Sequence, residues 1–379
     1  MSYPLTEEQQ LIQQNACEFA KEYIEPVAVE IDRDSVYPVE VVAKLAENDF
    51  FGLCFPGDFG GAEAGYLSFV LTVEEIAKVS AGVAAILVNH VALAAYSINK
   101  WGAPGQKEAF LPGLCSGAKL GAFAWSEPDH APGAGPDRLV AVKDGDKYVL
   151  NGRKCYVENG GVAGTYVVIA LSDPAAGVKG LSAFIVDAGT KGISQVRNIE
   201  KMGLRACQST ELLFTDVVVP AANLLGTAGG GLALVQEAKA AANVAEGALV
   251  LGVVQAALTE SANYSKERHQ FGKAIASFPA VQIMLAEMAV SIQVGRSAVY
   301  SAAALIENGE RFAAEAATVK LLLSRLGTNS LIDAIQVEGG VGYCEDMSVS
   351  RLYRDVNGVF LTESSAEFAE PVIAAEVLL

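Results

Sequence analysis

Apolar side chains recur at helical spacing from the start of the chain. Thr6 followed by Gln9 makes a capping-box start, and Leu11, Ile12, Ala16, Phe19 and Tyr23 repeat at the period of an amphipathic helix until Pro26. Similar periods run through Val41 to Glu47, Ser68 to Val79 and Val83 to Trp101. The stretches Pro56-Gly-Asp-Phe-Gly-Gly61 and Gly102-Ala-Pro-Gly105 punctuate them as loops, so the first third is expected to be helical. From about Lys119 the texture changes. Tyr148-Val-Leu-Asn-Gly152 reads as strand then turn, and Tyr166 to Leu171 and Leu181 to Val186 read as buried strands. Thr210 to Phe214 and Val217 to Val219 continue the β pattern. Past Gly226 the pattern returns to long Ala- and Leu-rich helices that suit a bundle.

This order predicts an α+β multidomain chain, helical over 1–118, mostly β over 119–225 and a helical bundle over 226–379. A doubly wound dinucleotide fold would alternate strand and helix throughout. The cluster Gly226-Thr-Ala-Gly-Gly-Gly231 lacks the GxGxxG spacing and reads better as the turn from sheet to bundle.

The formal net charge is -17, from 27 basic and 44 acidic side chains, and no segment gathers Lys and Arg into a patch. Nucleic acid and anionic membrane are therefore not expected as partners. A 51% apolar share is high for a soluble monomer and suggests burial between subunits. The six cysteines are scattered, with no CxxC and no histidine at ligand spacing, so a cytoplasmic protein with no metal site is expected. The N-terminus shows no signal pattern, and Ala238 to Leu258, interrupted by Lys239, Asn243, Glu246 and Gln255, reads as a buried helix rather than a membrane span.

Chemistry is concentrated in a few segments. Tyr353-Arg354-Asp355 is followed by Glu363-Ser-Ser-Ala-Glu367; upstream lie Arg268-His-Gln-Phe-Gly-Lys273 and Gln336-Val-Glu-Gly-Gly-Val-Gly342. Together with Ala122-Phe-Ala-Trp-Ser-Glu-Pro128 and Lys154-Cys-Tyr-Val-Glu-Asn-Gly160, these resemble the motifs of the acyl-CoA dehydrogenases over nearly the whole chain, with a butyryl-CoA (short-chain) cast. The resemblance implies an N-terminal α-helical domain, a central β-barrel or sandwich domain and a C-terminal four-helix bundle, with FAD, an acyl-CoA thioester as substrate, an electron-transferring flavoprotein as partner and a homotetramer.

Glu363 then falls on the catalytic base, although taken alone it would be a solvated carboxylate near a helix start. Its flanks depart from the family, with Thr362 in place of tyrosine and Ser364 in place of glycine, so Ser364 is expected to crowd the thioester. Arg268, Gln270 and Phe271 fall on the element that reaches the pyrophosphate side of FAD in a neighbouring subunit, a role suited to an arginine fork. Gln336, Gly339 and Gly340 fall on a loop whose missing side chains admit the cofactor, and Ser365 and Glu367 on tail positions near the flavin.

In the middle domain Ser126 falls on the hydroxyl that bonds the pyrimidine side of the ring, with Trp125 bulkier than the usual neighbour and placed toward the substrate. Tyr156 falls on the aromatic wall of the ring. Glu158 stands where a small hydroxyl normally meets flavin N5. A carboxylate there disfavours an anionic reduced flavin, so Glu158 is expected to point away, to be protonated or to mark different chemistry. The family's Gly-x-Gly-Ser-Asp loop is replaced by Asp129-His-Ala-Pro-Gly-Ala-Gly-Pro-Asp137, which loses its serine and contains His130, a second acid, a substrate contact or simply a solvated side chain. Asn243 stands where an arginine is usual near the active centre, a change expected to alter substrate recognition.

The expected reaction is dehydrogenation of a short or compact acyl-CoA to the trans-2-enoyl ester. The departures leave two alternatives: a specialised relative (an enoyl-CoA reductase, an acyl-carrier-protein dehydrogenase or an elimination enzyme), or a partner subunit of a hetero-oligomer.

Overall fold

The computed structural model describes residues 4–128, 131, 134–135, 138–361 and 369–378. The N-terminal helices are α1 (Glu7–Phe19), extended by a π-turn, α2 (Ala28–Arg33), α3 (Val39–Glu47), α4 (Gly65–Ala77), α5 (Ala81–Val88), α6 (Tyr96–Trp101) and α7 (Pro104–Cys115). The capping box that opens α1 is present, with Gln9 N–H donating to Thr6 Oγ1 at 3.2 Å and Thr6 N–H to Gln9 Oε1 at 3.0 Å. A π-helical segment, Asn89–Ala95, joins α5 to α6 without a break.

The strands are β1 (Gly121–Ala124), β2 (Val140–Asp144), β3 (Lys147–Glu158), β4 (Thr165–Leu171), β5 (Leu181–Asp187), β6 (Ile193–Ile199), β7 (Ser209–Pro220) and β8 (Leu224–Leu225). They form one eight-stranded sheet in the order β6-β7-β3-β2-β4-β5-β8, with β1 parallel to β4. The sheet is covered on both faces, which explains the unbroken apolar runs of β4 and β5. Val167, Ile169 and Leu171 join the large core shared with the helices, while Tyr166, Val168 and Ala170 join a second core confined to the sheet.

Gly152 corrects the expected strand-then-turn at Tyr148 to Gly152. The strand continues through it to Glu158, with a register shift against β7 at this point. Gly152 has φ 138°, and a Cβ there would lie 2.4 Å from the Arg138 carbonyl oxygen, so the glycine serves a bulge and not a hairpin.

After the Gly226 to Gly231 turn come α8 (Gly231–Glu267), the small hairpin β9 (His269–Gln270) and β10 (Lys273–Ala274), α9 (Pro279–Glu307), α10 (Ala313–Glu338), α11 (Ser348–Leu361) and α12 (Ala369–Val377). Three helical stretches, Ala81–Trp101, Gly231–Glu267 and Pro279–Glu307, are long and apolar enough to cross a membrane. The first two place most of their apolar residues inside the fold, 89% and 72% buried, whereas the third is 39% buried. On that third helix Ile283, Val290 and Val294 remain exposed, as does Ile332 on α10.

Buried polar links tie the helical parts together. Glu74 of α4, fully buried, accepts from Arg296 of α9 at 2.8 Å and from the Tyr300 hydroxyl at 2.6 Å. His90, also fully buried, accepts from Gly121 N–H on Nδ1 at 2.8 Å and lies 3.1 Å from the Leu114 carbonyl through Nε2. Those partners require the neutral Nε2–H tautomer, and burial holds its pKa down at about 4. His90 is thus a clamp between α7 and β1.

Candidate active site

A cavity of about 410 Å³ opens where the N-terminal helices, the sheet and the C-terminal helices meet. The π-helical turn gives it Asn89 and Leu93, α8 gives Lys239, Ala242 and Glu246, and α11 gives Arg354, Asn357 and Gly358. From the sheet domain come Ser126, Tyr156, Glu158 and the loop Ile199 to Leu204. Its size falls within the range of small-molecule sites.

A bulge aims Tyr156 at this space. The register of β3 against β7 slips between Lys154 and Val157, and Tyr156 takes φ 53°. A bulky residue in the left-handed region is a strained one, held by its surroundings, and here the ring is left 56% exposed on the cavity wall. The end of the preceding segment is fixed by a fully buried pair, its side chains 0% and 1% exposed, in which Lys154 Nζ donates to Glu127 Oε1 at 2.9 Å and to the Trp125 carbonyl at 2.7 Å. Ser126 lies between those two anchor points and faces the cavity.

Glu158 neither points away nor stands alone. Lys201 Nζ donates to both of its carboxylate oxygens, at 3.0 and 2.8 Å, and both side chains line the cavity. Burial pulls the Lys201 ammonium down, but the Glu158 carboxylate outweighs it and its pKa is raised. The pair presents a dipole instead of a net negative charge. Lys201, in the loop after β6, was not visible as a site residue in the sequence because nothing local marks it as the partner of Glu158.

The α8 wall holds a second ion pair. Lys320 of α10, 3% exposed, donates from Nζ to Glu246 Oε2 at 2.5 Å and to the Val359 carbonyl of α11 at 2.7 Å. On α8 the Lys239 ammonium lies 5.1 Å from the Trp125 ring centroid, a cation–π arrangement. Trp125 and Asn243 themselves do not line the cavity; their neighbours Ser126 and Ala242 do.

Arg354, which lines the cavity, joins the three parts. It pairs with Asp32 of α2 and donates to the Met202 carbonyl at 2.8 Å. Next to it, Asp355 accepts from Leu204 N–H at 2.6 Å, and its pKa is pushed up to about 6 by burial against the opposing pull of that hydrogen bond. The loop can approach α11 this closely because residue 203 is glycine: a Cβ there would lie 2.3 Å from the Arg354 carbonyl oxygen.

The remaining sequence candidates lie elsewhere. Arg268, Gln270 and Phe271 are exposed on the β9–β10 hairpin, and Gln336, Gly339 and Gly340 are exposed where α10 ends. Both groups sit at one end of the bundle, where α8 and α10 terminate, and Ser261 Oγ of α8 donates to Glu338 Oε1 of α10 at 3.2 Å. Glu363, Ser364, Ser365, Glu367 and the altered loop residues Asp129, His130, Pro132, Pro136 and Asp137 lie outside the described residues.

Glu338, inside that Gly-Gly segment, is 2% exposed, and its pKa is pushed up to about 7 by burial first and by Glu260 next. A carboxyl raised in the folded state stabilises most below its unfolded pKa, and this contribution is lost as pH rises through 7. From this group the protein is expected to lose about 2 kcal/mol between pH 5.5 and 8.5. Denaturant titrations at both pH values should show Glu338→Gln shedding that part of the pH dependence, and equal slopes in the two proteins would refute it.

The donor set suits a flavin: an aromatic wall at Tyr156 held in strained backbone toward open space, a hydroxyl at Ser126, and, at the bundle end, an exposed guanidinium and two glycines with open space beside them. Comparison with known proteins agrees. Residues 6–118, 122–217 and 229–378 match the acyl-CoA dehydrogenase N-terminal, middle and C-terminal domains respectively. The chain belongs to the acyl-CoA dehydrogenase family, whose members bind FAD. It is 41% identical to acryloyl-CoA reductase (NADH) of Anaerotignum propionicum, covering 100% of this chain and 96% of that one. It is 37% identical to a short-chain specific acyl-CoA dehydrogenase of Clostridium acetobutylicum, with both chains fully covered. The butyryl-CoA dehydrogenase structure from Megasphaera elsdenii superposes with a TM-score of 0.96 at 35% identity, again over 100% of both chains.

Proposed function

We propose that this chain, with FAD bound, dehydrogenates a short or compact acyl-CoA thioester to the trans-2-enoyl ester and passes the electrons to an electron-transferring flavoprotein. The observation that supports this most directly is the cavity in which Ser126, Tyr156 and Glu158 of the sheet domain share one space with α8 and α11. In this reading the domains are 1–118, 119–225 and 226–379, and four copies assemble in the cytoplasm with Ile283, Val290, Val294 and Ile332 among the residues they cover.

FAD supplies the two-electron acceptor for the hydride that leaves the β-carbon. Glu363 takes the proton from the α-carbon, and its backbone N–H helps polarise the thioester carbonyl. Ser126 and Tyr156 orient the ring, and Arg268, Gln270, Phe271, Gln336, Gly339, Gly340, Ser365 and Glu367 hold the remainder of the cofactor. Ser364 and Trp125 restrict the acyl group, and Asn243 adjusts recognition of the thioester.

The reducing direction is the second reading, favoured by the 41% identity to a reductase over the full chain. The visible spectrum of the purified protein, before and after anaerobic addition of saturated acyl-CoA esters, tests the first reading. Bleaching of a yellow protein supports dehydrogenation. A yellow protein bleached by none of them, but reoxidised by an enoyl-CoA after chemical reduction, supports reduction. A protein unable to bind FAD overturns both.

Lys201 and Glu158 make a sharper prediction. Removing the ammonium in Lys201→Met leaves a carboxylate beside the ring and should lower the two-electron potential of bound FAD by about 30 mV or more, a tenfold change in the redox equilibrium. Glu158→Gln should raise it. Potentials unchanged in both variants would place the pair away from the ring.

A further inference from the structure

The loop between β6 and β7 carries Lys201 to the cavity wall, and α11 holds two of its backbone groups. Arg354 Nη1 donates to the Met202 carbonyl at 2.8 Å, and Asp355 Oδ1 accepts from Leu204 N–H at 2.6 Å, one residue on each side of Gly203. Neighbouring residues of one helix thus grip the loop, which takes its position from α11 as well as from the sheet.

Glycines let the two backbones meet. A Cβ at Gly203 would lie 2.3 Å from the Arg354 carbonyl oxygen and 2.7 Å from the Asp355 nitrogen, and one at Gly358, further along α11, 3.1 Å from Leu204 Cγ. Leu204 itself is 3% exposed and takes φ 52°, a left-handed conformation that leucine adopts only where its surroundings hold it. A carboxylate that accepts its backbone N–H supplies a charge-assisted bond at that point. Lys201 stands three residues earlier, its carbonyl accepting from Arg205 Nε at 3.2 Å while its Nζ reaches both oxygens of Glu158. The ammonium therefore extends from a strained turn pinned to α11.

We propose that Asp355 is a positioning residue: by holding Leu204 N–H it keeps this loop on α11, keeps Lys201 paired with Glu158, and thereby sets the redox potential of the flavin. The proposal rests on the reading above, in which that pair lies beside the ring. Asp355 does not line the cavity, so its effect must reach the cofactor through the loop or through its charge. The charge has to be separated out, because Asp355 acts electrostatically on Lys201 and is itself acted on by Asp32, Arg351 and Arg354.

Three variants separate the two routes. Asp355→Asn removes the charge and keeps an oxygen acceptor for Leu204 N–H, Asp355→Ala removes both, and Gly203→Ala keeps the carboxylate while forcing the loop off α11. The two-electron potential of bound FAD is measured by equilibration with a reference dye, in each variant with and without Lys201→Met. In the apoproteins, hydrogen exchange is followed in the peptide that contains the Leu204 amide. Asp355→Ala and Gly203→Ala are each expected to disfavour reduction at least threefold, about 14 mV where tenfold is about 30 mV. They should add nothing once Lys201 is methionine, and the Leu204 amide should exchange at least tenfold faster. Asp355→Asn is expected to keep the amide protected and not to lower the potential. Should Asp355→Ala fail to fold, Gly203→Ala decides.

Equal lowering by Asp355→Asn and Asp355→Ala, a shift that persists beside Lys201→Met, or unchanged exchange at Leu204 overturns the positioning role. So does a potential moved by Lys201→Met but by neither loop variant, and in all these cases the flavin reading stands. A potential unmoved by Lys201→Met overturns both the positioning role and the placement of the pair beside the ring. Protein that binds no FAD overturns the dehydrogenase reading with them.

Discussion

Glu363→Gln is expected to slow reduction of bound FAD by a thioester 10²- to 10⁴-fold while leaving the cofactor in place. The amide preserves size and can still hydrogen-bond, but it cannot take the α-proton. Stopped-flow bleaching against the unaltered protein measures the effect, and the FAD-to-protein absorbance ratio checks retention. A rate within threefold of the original would move the base elsewhere. Glu246 and Glu158 would be the carboxylates to examine, yet the structure commits both to ammonium groups, Lys320 and Lys201. Accepting a proton at either would mean giving up a largely buried ion pair, so Glu363 remains the better candidate.

The α, β, α order was legible in the sequence because each part follows its own period: helical spacing along α1, long apolar runs in β4 and β5, and Ala-rich periods in α8 to α10. Glycine was the ambiguous signal. Asn151-Gly152 reads locally as a hairpin turn, but what decides its conformation is Arg138, a residue on the neighbouring segment that the backbone must pass closely. Tyr156 was singled out in the sequence as a candidate aromatic wall, whereas the bulge that aims it at the cavity depends on β7, more than fifty residues away, and leaves no local mark.

The same limit explains the charges. Glu158 stood out in the sequence as a carboxylate where the family has a small hydroxyl, and the three outcomes foreseen for it named no counter-ion. Its partner Lys201 lies 43 residues along the chain, and Lys320 lies 74 from Glu246. Such pairs are made by tertiary packing and are invisible to motif matching, which reads only what is contiguous. The departure from the family pattern at 158 therefore acquires meaning only when its partner is seen: on the cavity wall Glu158 is paired with Lys201, as Glu246 is with Lys320.

Lys154→Met is expected to destabilise the protein by about 3–5 kcal/mol, because it leaves Glu127 as a buried charge without its ammonium. The two side chains are 0% and 1% exposed, so water cannot take over the lost contact. Glu127 is also the acceptor for Leu139 N–H at 2.9 Å, and Lys154 bonds the Trp125 carbonyl, so the pair fixes both ends of the segment that presents Ser126. Loss of the ammonium should loosen that segment and weaken FAD binding along with folding. Adding Glu127→Leu to Lys154→Met removes the stranded charge and should recover most of the stability, since a packed apolar pair often replaces a buried ion pair without loss. Denaturant titration of apoprotein supplies the stability comparison, free of any contribution from bound cofactor. A single variant within 1 kcal/mol of the unaltered protein, or a double variant no better than the single, would show that the carboxylate is hydrated or neutral and that Ser126 is held by other means.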